Sequence, residues 1–208
     1  MPDEEQPYQV YNPQALLIVV SGPSGVGKDA TLQELKRREF PLHYVVTVTS
    51  RPKRDGEVEG VDYFFVTREQ FERLIQEKAL LEYAVVYNDY KGIPKEQVSR
   101  AMQSGLDVIL RVDVQGAATL RKLYPEAVLI FLAPESEYEL RKRLLERRTE
   151  TSVQLQARLD IAKEEMKRCW EFDYVVVNST GRLCETAKTI EDIIHAEHHH
   201  IPHRKVRL

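Results

Sequence analysis

Apolar residues along this chain fall into short continuous runs separated by segments with helical spacing. The runs at residues 15–20, 106–112, 127–132 and 174–177 are mostly apolar, as is typical of strands buried on both faces of a sheet. Each run is preceded or followed by a helical segment. This repeated alternation predicts an α/β fold built on a parallel sheet.

Turn and capping residues divide the chain between these runs. Charge, Gly and Pro are concentrated in residues 50–60, which predicts a loop, and Thr67 with Gln70 has the spacing of a capping box. Two helices broken near residues 148–151 are expected between residues 135 and 170. Further strands are expected at residues 43–49, 63–66, 80–87 and 90–93, and further helices at residues 27–39, 67–78, 94–104 and 182–197.

The composition is that of an ordinary globular protein. The chain has 208 residues, a hydrophobic fraction of 42% and a formal net charge of −3. This length allows a substantial core in one domain with insertions or in two small domains, and one compact unit is favoured. Neither nucleic acid nor a membrane is favoured as a partner, because the net charge is slightly negative and no apolar run reaches membrane-spanning length. The acidic residues 1–6 lack secretion or import patterns, so a cytoplasmic location is expected.

One motif indicates a binding site for phosphate groups. It follows the first predicted strand, precedes the first predicted helix, and consists of Gly22, Pro23, Ser24, Gly25, Val26, Gly27 and Lys28. In such a cradle the glycines let backbone N–H groups turn towards an anion, the helix N-terminus adds partial positive charge, and the lysine reaches the β- and γ-phosphates. The motif predicts a bound nucleoside triphosphate; the alternative is a glycine-rich turn with a surface lysine.

Asp29 stands where this motif usually has a serine or threonine whose hydroxyl helps to hold Mg²⁺. A carboxylate beside a triphosphate is repulsive unless a metal lies between them, so Asp29 is a candidate Mg²⁺ ligand, direct or through water. The alternative is a side chain that points away and is favoured at the helix N-terminus by the macrodipole. The sequence alone does not decide between these two roles of Asp29.

The segment from Thr47 to Phe65 is the most specific stretch of the sequence. It reads TVTSRPKRDGEVEGVDYFF, and together with the cradle it resembles the acceptor loop of the guanylate kinase family, most closely the cyanobacterial and plant organellar branch. Further matches at Glu82, Asp113 and Arg158 extend the resemblance over residues 15–197. The resemblance implies a P-loop NTPase-type parallel sheet core flanked by helices, with a small mixed α/β GMP-binding insertion and a helical lid.

The same resemblance implies an activity and a division of the chain. It implies ATP-dependent phosphorylation of GMP, and of dGMP, in purine nucleotide metabolism and GMP recycling, with Mg²⁺ as cofactor, by a monomer or homodimer. The implied parts are a lead-in at residues 1–14, a core at residues 15–47, 104–140 and 160–197, a GMP-binding region at residues 48–103, a lid at residues 141–159 and a basic His-rich tail at residues 198–208. For the tail, a frayed and solvated helix end is preferred over a metal site.

The resemblance also assigns the acceptor site. The GMP-binding residues it implies are Thr47, Arg51, Arg54, Tyr63, Glu82, Tyr90 and Asp113. Two guanidinium groups in an extended loop can hold a phosphate dianion through forked hydrogen bonds, although single arginines are more often solvated surface charges. A carboxylate in an apolar run can accept guanine N1–H and its 2-amino group, a donor pair that adenine lacks; the alternative is that Glu82 faces outward.

Phosphoryl transfer requires in-line positioning and positive charge around the transferred group. Lys28, Arg147 and Arg158 match the catalytic positions of the family, with Arg143 assisting, whereas Arg141 and Lys142 are interpreted as a solvated helix face. Asp113 follows a predicted strand and, with Asp29, is a candidate for holding Mg²⁺ through water. No general base is needed for an acceptor phosphate that is already ionised.

Some positions depart from the family pattern. Lys91 stands where a second tyrosine is common, Ile93 where a hydroxyl often touches the base, Thr47 replaces a serine, and Arg111 stands where the family is usually acidic. One rival function is phosphorylation of ribose 1,5-bisphosphate. The kinases that carry out this reaction lack the long acceptor loop. Another is a non-catalytic binding module with this fold, which usually loses the cradle lysine and the lid arginines.

Overall fold

The computed structural model describes residues 14–86, 88–146 and 152–206. The strands are β1 (Leu17–Ser21), β2 (Leu42–Tyr44), β3 (Thr47–Thr49), β4 (Tyr63–Phe65), β5 (Leu80–Val86), β6 (Asp89–Pro94), β7 (Asp107–Arg111), β8 (Val128–Pro134) and β9 (Tyr174–Asn178). The helices are α1 (Lys28–Arg37), α2 (Arg68–Gln76), α3 (Lys95–Gln103), α4 (Val114–Leu123), α5 (Glu137–Glu146), α6 (Ser152–Lys167) and α7 (Leu183–His198).

Five parallel strands form the core sheet in the order β2-β7-β1-β8-β9. The central strand β1 is fully buried, because its two faces pack under different helices. Ile18 belongs to a cluster with Leu35 of α1 and Ile190 of α7, whereas Val19 belongs to a cluster with Val98 of α3 and Leu120 of α4. The continuous apolar run at residues 15–20 is thus explained, and the predicted α/β fold class is confirmed.

Four strands form a second, mixed sheet in the order β4-β3-β6-β5. Strands β3 and β4 are parallel, whereas β6 is antiparallel to both β3 and β5. Helix α2 covers this sheet through Phe71, and it begins at the predicted capping box, in which Thr67 accepts from the backbone N–H of Gln70. This sheet with α2 is the mixed insertion that the resemblance implies.

The strand expected at residues 43–49 is two strands in two sheets. Val45 N–H still donates to Ile109 of the core, at 3.2 Å, whereas Val46 N–H donates to the side chain of Gln97, at 2.7 Å. The chain leaves the core sheet between these residues and enters the second sheet at Thr47. Since β-branched and aromatic residues continue through both strands, their pattern could not reveal the change of sheet.

Helices α5 and α6 pack against each other through one apolar cluster. It consists of Leu140, Leu144, Leu155, Leu159 and Ala162. The two helices match the expected pair, but the expected break at residues 148–151 and the catalytic candidate Arg147 lie outside the described residues. None of the described helices is both long enough and apolar enough to cross a membrane.

The C-terminal segment is held by specific polar contacts. His198 Nε2 lies 2.7 Å from Asp107 Oδ2, at the start of β7. Arg204 donates to both carboxylate oxygens of Glu197, at 2.7 and 2.9 Å, and the Glu197 side chain is almost fully buried. The expectation of a frayed and solvated helix end is therefore wrong for His198, because its partly buried ring is held against Asp107.

Candidate active site

The phosphate cradle begins where β1 ends, and two of its glycines cannot be replaced without moving backbone or buried side chains. Gly22 has φ 138°, and a Cβ there would lie 2.2 Å from the carbonyl oxygen of Leu132. Gly27 has φ 101°, and a Cβ there would lie 2.5 Å from Asn178 Nδ2. Only glycine adopts such φ values beside so close a neighbour without strain. The cradle is therefore pressed against the ends of β8 and β9.

Hydrogen bonds to the carbonyl of Val26 hold the cradle on the side that faces α5 and β9. This carbonyl accepts from Asn178 Nδ2 at 2.7 Å and from Arg143 Nη1 at 3.1 Å. Arg143 also donates to the carbonyl of Asn178, at 2.8 Å, and to Thr180 Oγ1, at 3.0 Å. The structure thus places Arg143, which we expected to assist in the lid, behind the cradle, because backbone carbonyls satisfy its guanidinium there. Its neighbours Arg141 and Lys142 are exposed, as expected.

The ammonium group of Lys28 lies inside the cradle. Its Nζ donates to the carbonyl of Gly22, at 2.5 Å, and to that of Pro23, at 3.2 Å. Burial lowers the pKa of Lys28 to about 8, against the opposing fields of nearby carboxylates that include Asp29 and Asp113. A triphosphate would supply the negative charge that stabilises the protonated amine.

Glu165 is a cradle neighbour that sequence reasoning missed. From α6, its Oε2 accepts from the backbone N–H of Ser24 at 3.4 Å, and its charge acts on Lys28. Burial raises the pKa of Glu165. The available signal was its position seven residues after Arg158, which places both side chains on one face of α6. The adjacent Glu164 has the same side chain, so the residue type did not distinguish Glu165.

Glu82 is a buried carboxylate on β5. Its residue exposure is 6%, and its Oε1 finds no hydrogen-bond partner among the described residues. Gly116 of α4 makes room for it, since a Cβ at Gly116 would lie 3.0 Å from that oxygen. Burial raises the pKa of Glu82 to about 7, and the charge of Asp113 adds to the effect. Asp113 itself caps α4, because its Oδ1 accepts from Gly116 N–H at 2.8 Å.

Three cationic side chains surround the ring of Tyr63, and we call Tyr63, Arg51, Lys91 and Arg111 the Tyr63 cluster. The guanidinium carbons of Arg51 and Arg111 lie 4.9 and 4.8 Å from the ring centroid, and Lys91 Nζ lies 5.8 Å from it. Burial and the charges of Arg111 and Arg51 lower the pKa of Lys91. So many cations near one ring indicate a binding site for an anion.

Glu57 joins the two arginines of the acceptor loop. Arg51 donates to both of its carboxylate oxygens, at 2.8 and 2.5 Å, and the backbone N–H of Arg54 donates to it at 2.8 Å. The hydrogen bond from Arg51 lowers the pKa of Glu57. The side chain of Arg54 is exposed at the same turn. Glu57 lies within the acceptor-loop motif, but its role as partner of Arg51 was not predicted.

The predicted acceptor residue Tyr90 lies away from the Tyr63 cluster, whereas Thr47 lies beside Tyr63. The ring of Tyr90 stacks on Phe71 at 4.9 Å and lies under the guanidinium of Arg68, also at 4.9 Å. Successive residues of a strand face opposite sides, so Tyr90 points away from the Tyr63 cluster, and its neighbour Lys91 points into it. Thr47 is buried on β3 as the strand partner of Tyr63.

The side chain of Asp29 extends from α1 towards the acceptor region, where its Oδ1 pairs with Arg111 Nη1. Asp29 and Asp113 carry carboxylate oxygens, the ligand type that Mg²⁺ takes, and the charges of both act on Lys28. Within the described residues, no three His, Cys, Asp or Glu side chains come together as a metal cluster. The lid candidate Arg158 is partly buried on α6.

Comparison with known proteins gives a consistent result. Residues 14–197 match the family model described as "Guanylate kinase". The chain is 54% identical over 197 residues to "Guanylate kinase 2, chloroplastic/mitochondrial" of Oryza sativa subsp. japonica, covering 94% of this chain and 69% of that protein. It is 46% identical over 179 residues to "Guanylate kinase" of Bacillus anthracis, covering 85% of this chain and 87% of that protein.

A solved structure agrees with this match. The crystal structure of guanylate kinase from Anaplasma phagocytophilum superposes with a TM-score of 0.75 at 32% identity, covering 92% of this chain and 90% of that one. The rice relative is named as organellar, so the cytoplasmic location expected from the sequence stays a prediction. The same holds for the assembly state, monomer or homodimer.

Proposed function

The chain belongs to the guanylate kinase family, and we propose that it transfers the γ-phosphoryl group of ATP to GMP and to dGMP. It is a nucleoside monophosphate kinase. The products, GDP and dGDP, enter purine nucleotide metabolism, in which this reaction recycles GMP. The proposed contacts reach the base and the phosphate but not the ribose 2′ position, so dGMP is expected to be a substrate as well.

The observation that carries the proposal is the buried Glu82 carboxylate with an unpartnered oxygen. Guanine N1–H and its 2-amino group are parallel donors that one carboxylate accepts together. Adenine offers no such pair, so AMP would leave the carboxylate buried and unpaired, at a cost of about 1–3 kcal/mol or more. Asp113, at the start of α4, is proposed to border the same base.

The acceptor phosphate is assigned to the Tyr63 cluster and the neighbouring acceptor loop. Arg51 and Arg54 provide guanidinium groups, and Tyr63 provides a hydroxyl donor. Thr47 is retained as an acceptor-site residue because it is the strand neighbour of Tyr63. Tyr90 is not assigned a phosphate contact, because its ring packs on Phe71 instead.

The donor ATP is assigned to the cradle, residues 22–29. Backbone N–H groups and Lys28 hold its phosphates, and Asp29 and Asp113 would hold Mg²⁺, directly or through water. When bound, Mg²⁺ neutralises charge that develops on the β- and γ-phosphate oxygens. Arg147 and Arg158 are assigned to the transferring phosphate, and closure of the lid at residues 141–159 excludes water, so that ATP is not hydrolysed without an acceptor.

A coupled ADP-release assay with ATP and Mg²⁺ tests this function. The acceptor panel is GMP, dGMP, AMP, CMP and ribose 1,5-bisphosphate, each at equal concentration. Turnover is expected with GMP and dGMP alone. Turnover with ribose 1,5-bisphosphate in place of GMP would identify the rival sugar-phosphate kinase, and binding of GMP without any transfer would identify a non-catalytic module.

A further inference from the structure

We propose that Arg111 is a further phosphate-binding residue of the acceptor site, and that Asp29 holds its guanidinium in position for that phosphate. This inference rests on the proposed function, since it concerns the phosphate of the same acceptor. It adds a third guanidinium to Arg51 and Arg54, from the core sheet rather than from the acceptor loop. It also gives one shared role to Asp29, which departs from the usual cradle motif, and to Arg111, which departs from the family pattern.

The position of Arg111 in the fold lies between the two halves of the site. Arg111 is the last residue of β7, and its Cα is paired with Val20 near the end of β1, directly before the cradle. Ligands of open α/β sheets bind beyond these carboxyl ends. From there its guanidinium reaches the Tyr63 ring on the acceptor side, at 4.8 Å. Arg111 therefore connects the donor cradle with the acceptor cluster.

The ion pair with Asp29 does not by itself explain this placement. The Asp29 side chain is 56% exposed, whereas that of Arg111 is 17% exposed. A carboxylate so open to water needs no partner, and half-exposed pairs contribute little to stability. Meanwhile Arg111 lies close to two other cations, Arg51 and Lys91, and its charge helps to lower the pKa of Lys91. A structural role alone would not favour a third cation at this place.

A phosphate monoester dianion accounts for the arrangement. It carries close to two negative charges and accepts forked hydrogen bonds from guanidinium groups. Asp29 supplies one charge to one edge of Arg111, and it keeps the guanidinium over the Tyr63 ring. A long side chain held in this way loses less conformational entropy when it binds the phosphate.

The test measures binding of GMP and of guanosine by isothermal titration calorimetry, without ATP or metal. Arg111→Met should weaken GMP binding about 10- to 100-fold, as expected for a lost hydrogen bond to a charged group, and leave guanosine binding unchanged. Arg111→Lys, which keeps the charge but not the fork, should lie between. Arg100→Met is the control, since Arg100 is an exposed arginine of α3 that pairs with Glu96 of the same helix.

The double variant Asp29→Ser with Arg111→Met separates phosphate binding from simple neutralisation of Asp29. We expect it to bind GMP as weakly as Arg111→Met. Recovery of wild-type affinity in the double variant would overturn the proposal, as would a GMP affinity of Arg111→Met within twofold of wild type or an equal loss for guanosine. Failure of the wild-type protein to bind GMP would instead refute the proposed function.

Discussion

The substitution Glu82→Gln should weaken GMP binding strongly while making the protein more stable at pH 8. The side chain is buried, one carboxylate oxygen has no partner among the described residues, and burial raises its pKa to about 7 from 4.5. Glutamine has nearly the same shape but no charge, and its amide N–H₂ would face the guanine donors. Function and stability are therefore expected to change in opposite directions.

The size of the stability effect follows from proton linkage. Because the folded state binds the Glu82 proton more tightly, the carboxyl destabilises the folded protein increasingly as pH rises from 4.5 to about 7. The cost is about 1 kcal/mol at pH 5 and about 3 kcal/mol at pH 8, at about 1.4 kcal/mol per pKa unit. The difference between the two pH values, about 2–3 kcal/mol, is free of any packing change caused by glutamine itself.

Two measurements check this prediction. The free energy of unfolding of wild type and Glu82→Gln, from urea titrations at pH 5 and pH 8, should show an advantage for the variant that grows by about 2–3 kcal/mol between these pH values. Calorimetry at pH 8 should show GMP binding weakened about 10²–10⁴-fold, for two lost charge-assisted hydrogen bonds. An advantage independent of pH would refute the buried charge, and retained GMP affinity would refute its role.

Further predictions concern the cradle and its neighbours. Lys28→Ala should abolish transfer in the ADP-release assay while GMP binding, followed by calorimetry, stays measurable; undiminished turnover would contradict its role. Gly116→Ala should raise the KM for GMP, because its Cβ would lie 3.0 Å from Glu82 Oε1 and 3.2 Å from Val112 Cβ, so that the Glu82 carboxylate must shift; an unchanged KM would contradict this reasoning. Arg143→Met should lower the free energy of unfolding by about 1–3 kcal/mol and weaken ATP binding, because it removes one of the two hydrogen bonds to the Val26 carbonyl and the hydrogen bond to the Asn178 carbonyl. The exposed Lys142→Met should do neither.

The sequence predicted the core sheet and the cradle because both depend on local patterns. Strand β1 is buried on both faces, so it is a continuous apolar run, and the glycines at Gly22 and Gly27 are demanded by backbone geometry. The division of residues 43–49 between two sheets could not be predicted. It depends on a contact of Val46 with Gln97, which is 51 residues away in the chain.

The candidate site was predicted residue by residue but not as a set of pairs. The arginines of the acceptor loop were found from the motif, whereas the pairing of Arg51 with Glu57 and of Arg111 with Asp29 depends on side-chain geometry. Tyr90 and Lys91 are adjacent, and only the register of β6 decides which of them faces the cluster. Glu165 required the packing of α6 on the cradle.

The hydrogen-bond partners of the cationic side chains and of Glu82 indicate which residues distinguish guanine from adenine. Lys28 donates to cradle carbonyls and Arg51 donates to Glu57, so we expect a phosphate to exchange with existing contacts at these two cations. Exchange of one hydrogen bond for another yields little net free energy per contact. Glu82 differs, because its Oε1 has no partner among the described residues to exchange. Under the proposed function, we therefore expect the phosphate-binding groups to position the acceptor, and we expect discrimination between guanine and adenine to depend mainly on this one buried carboxylate.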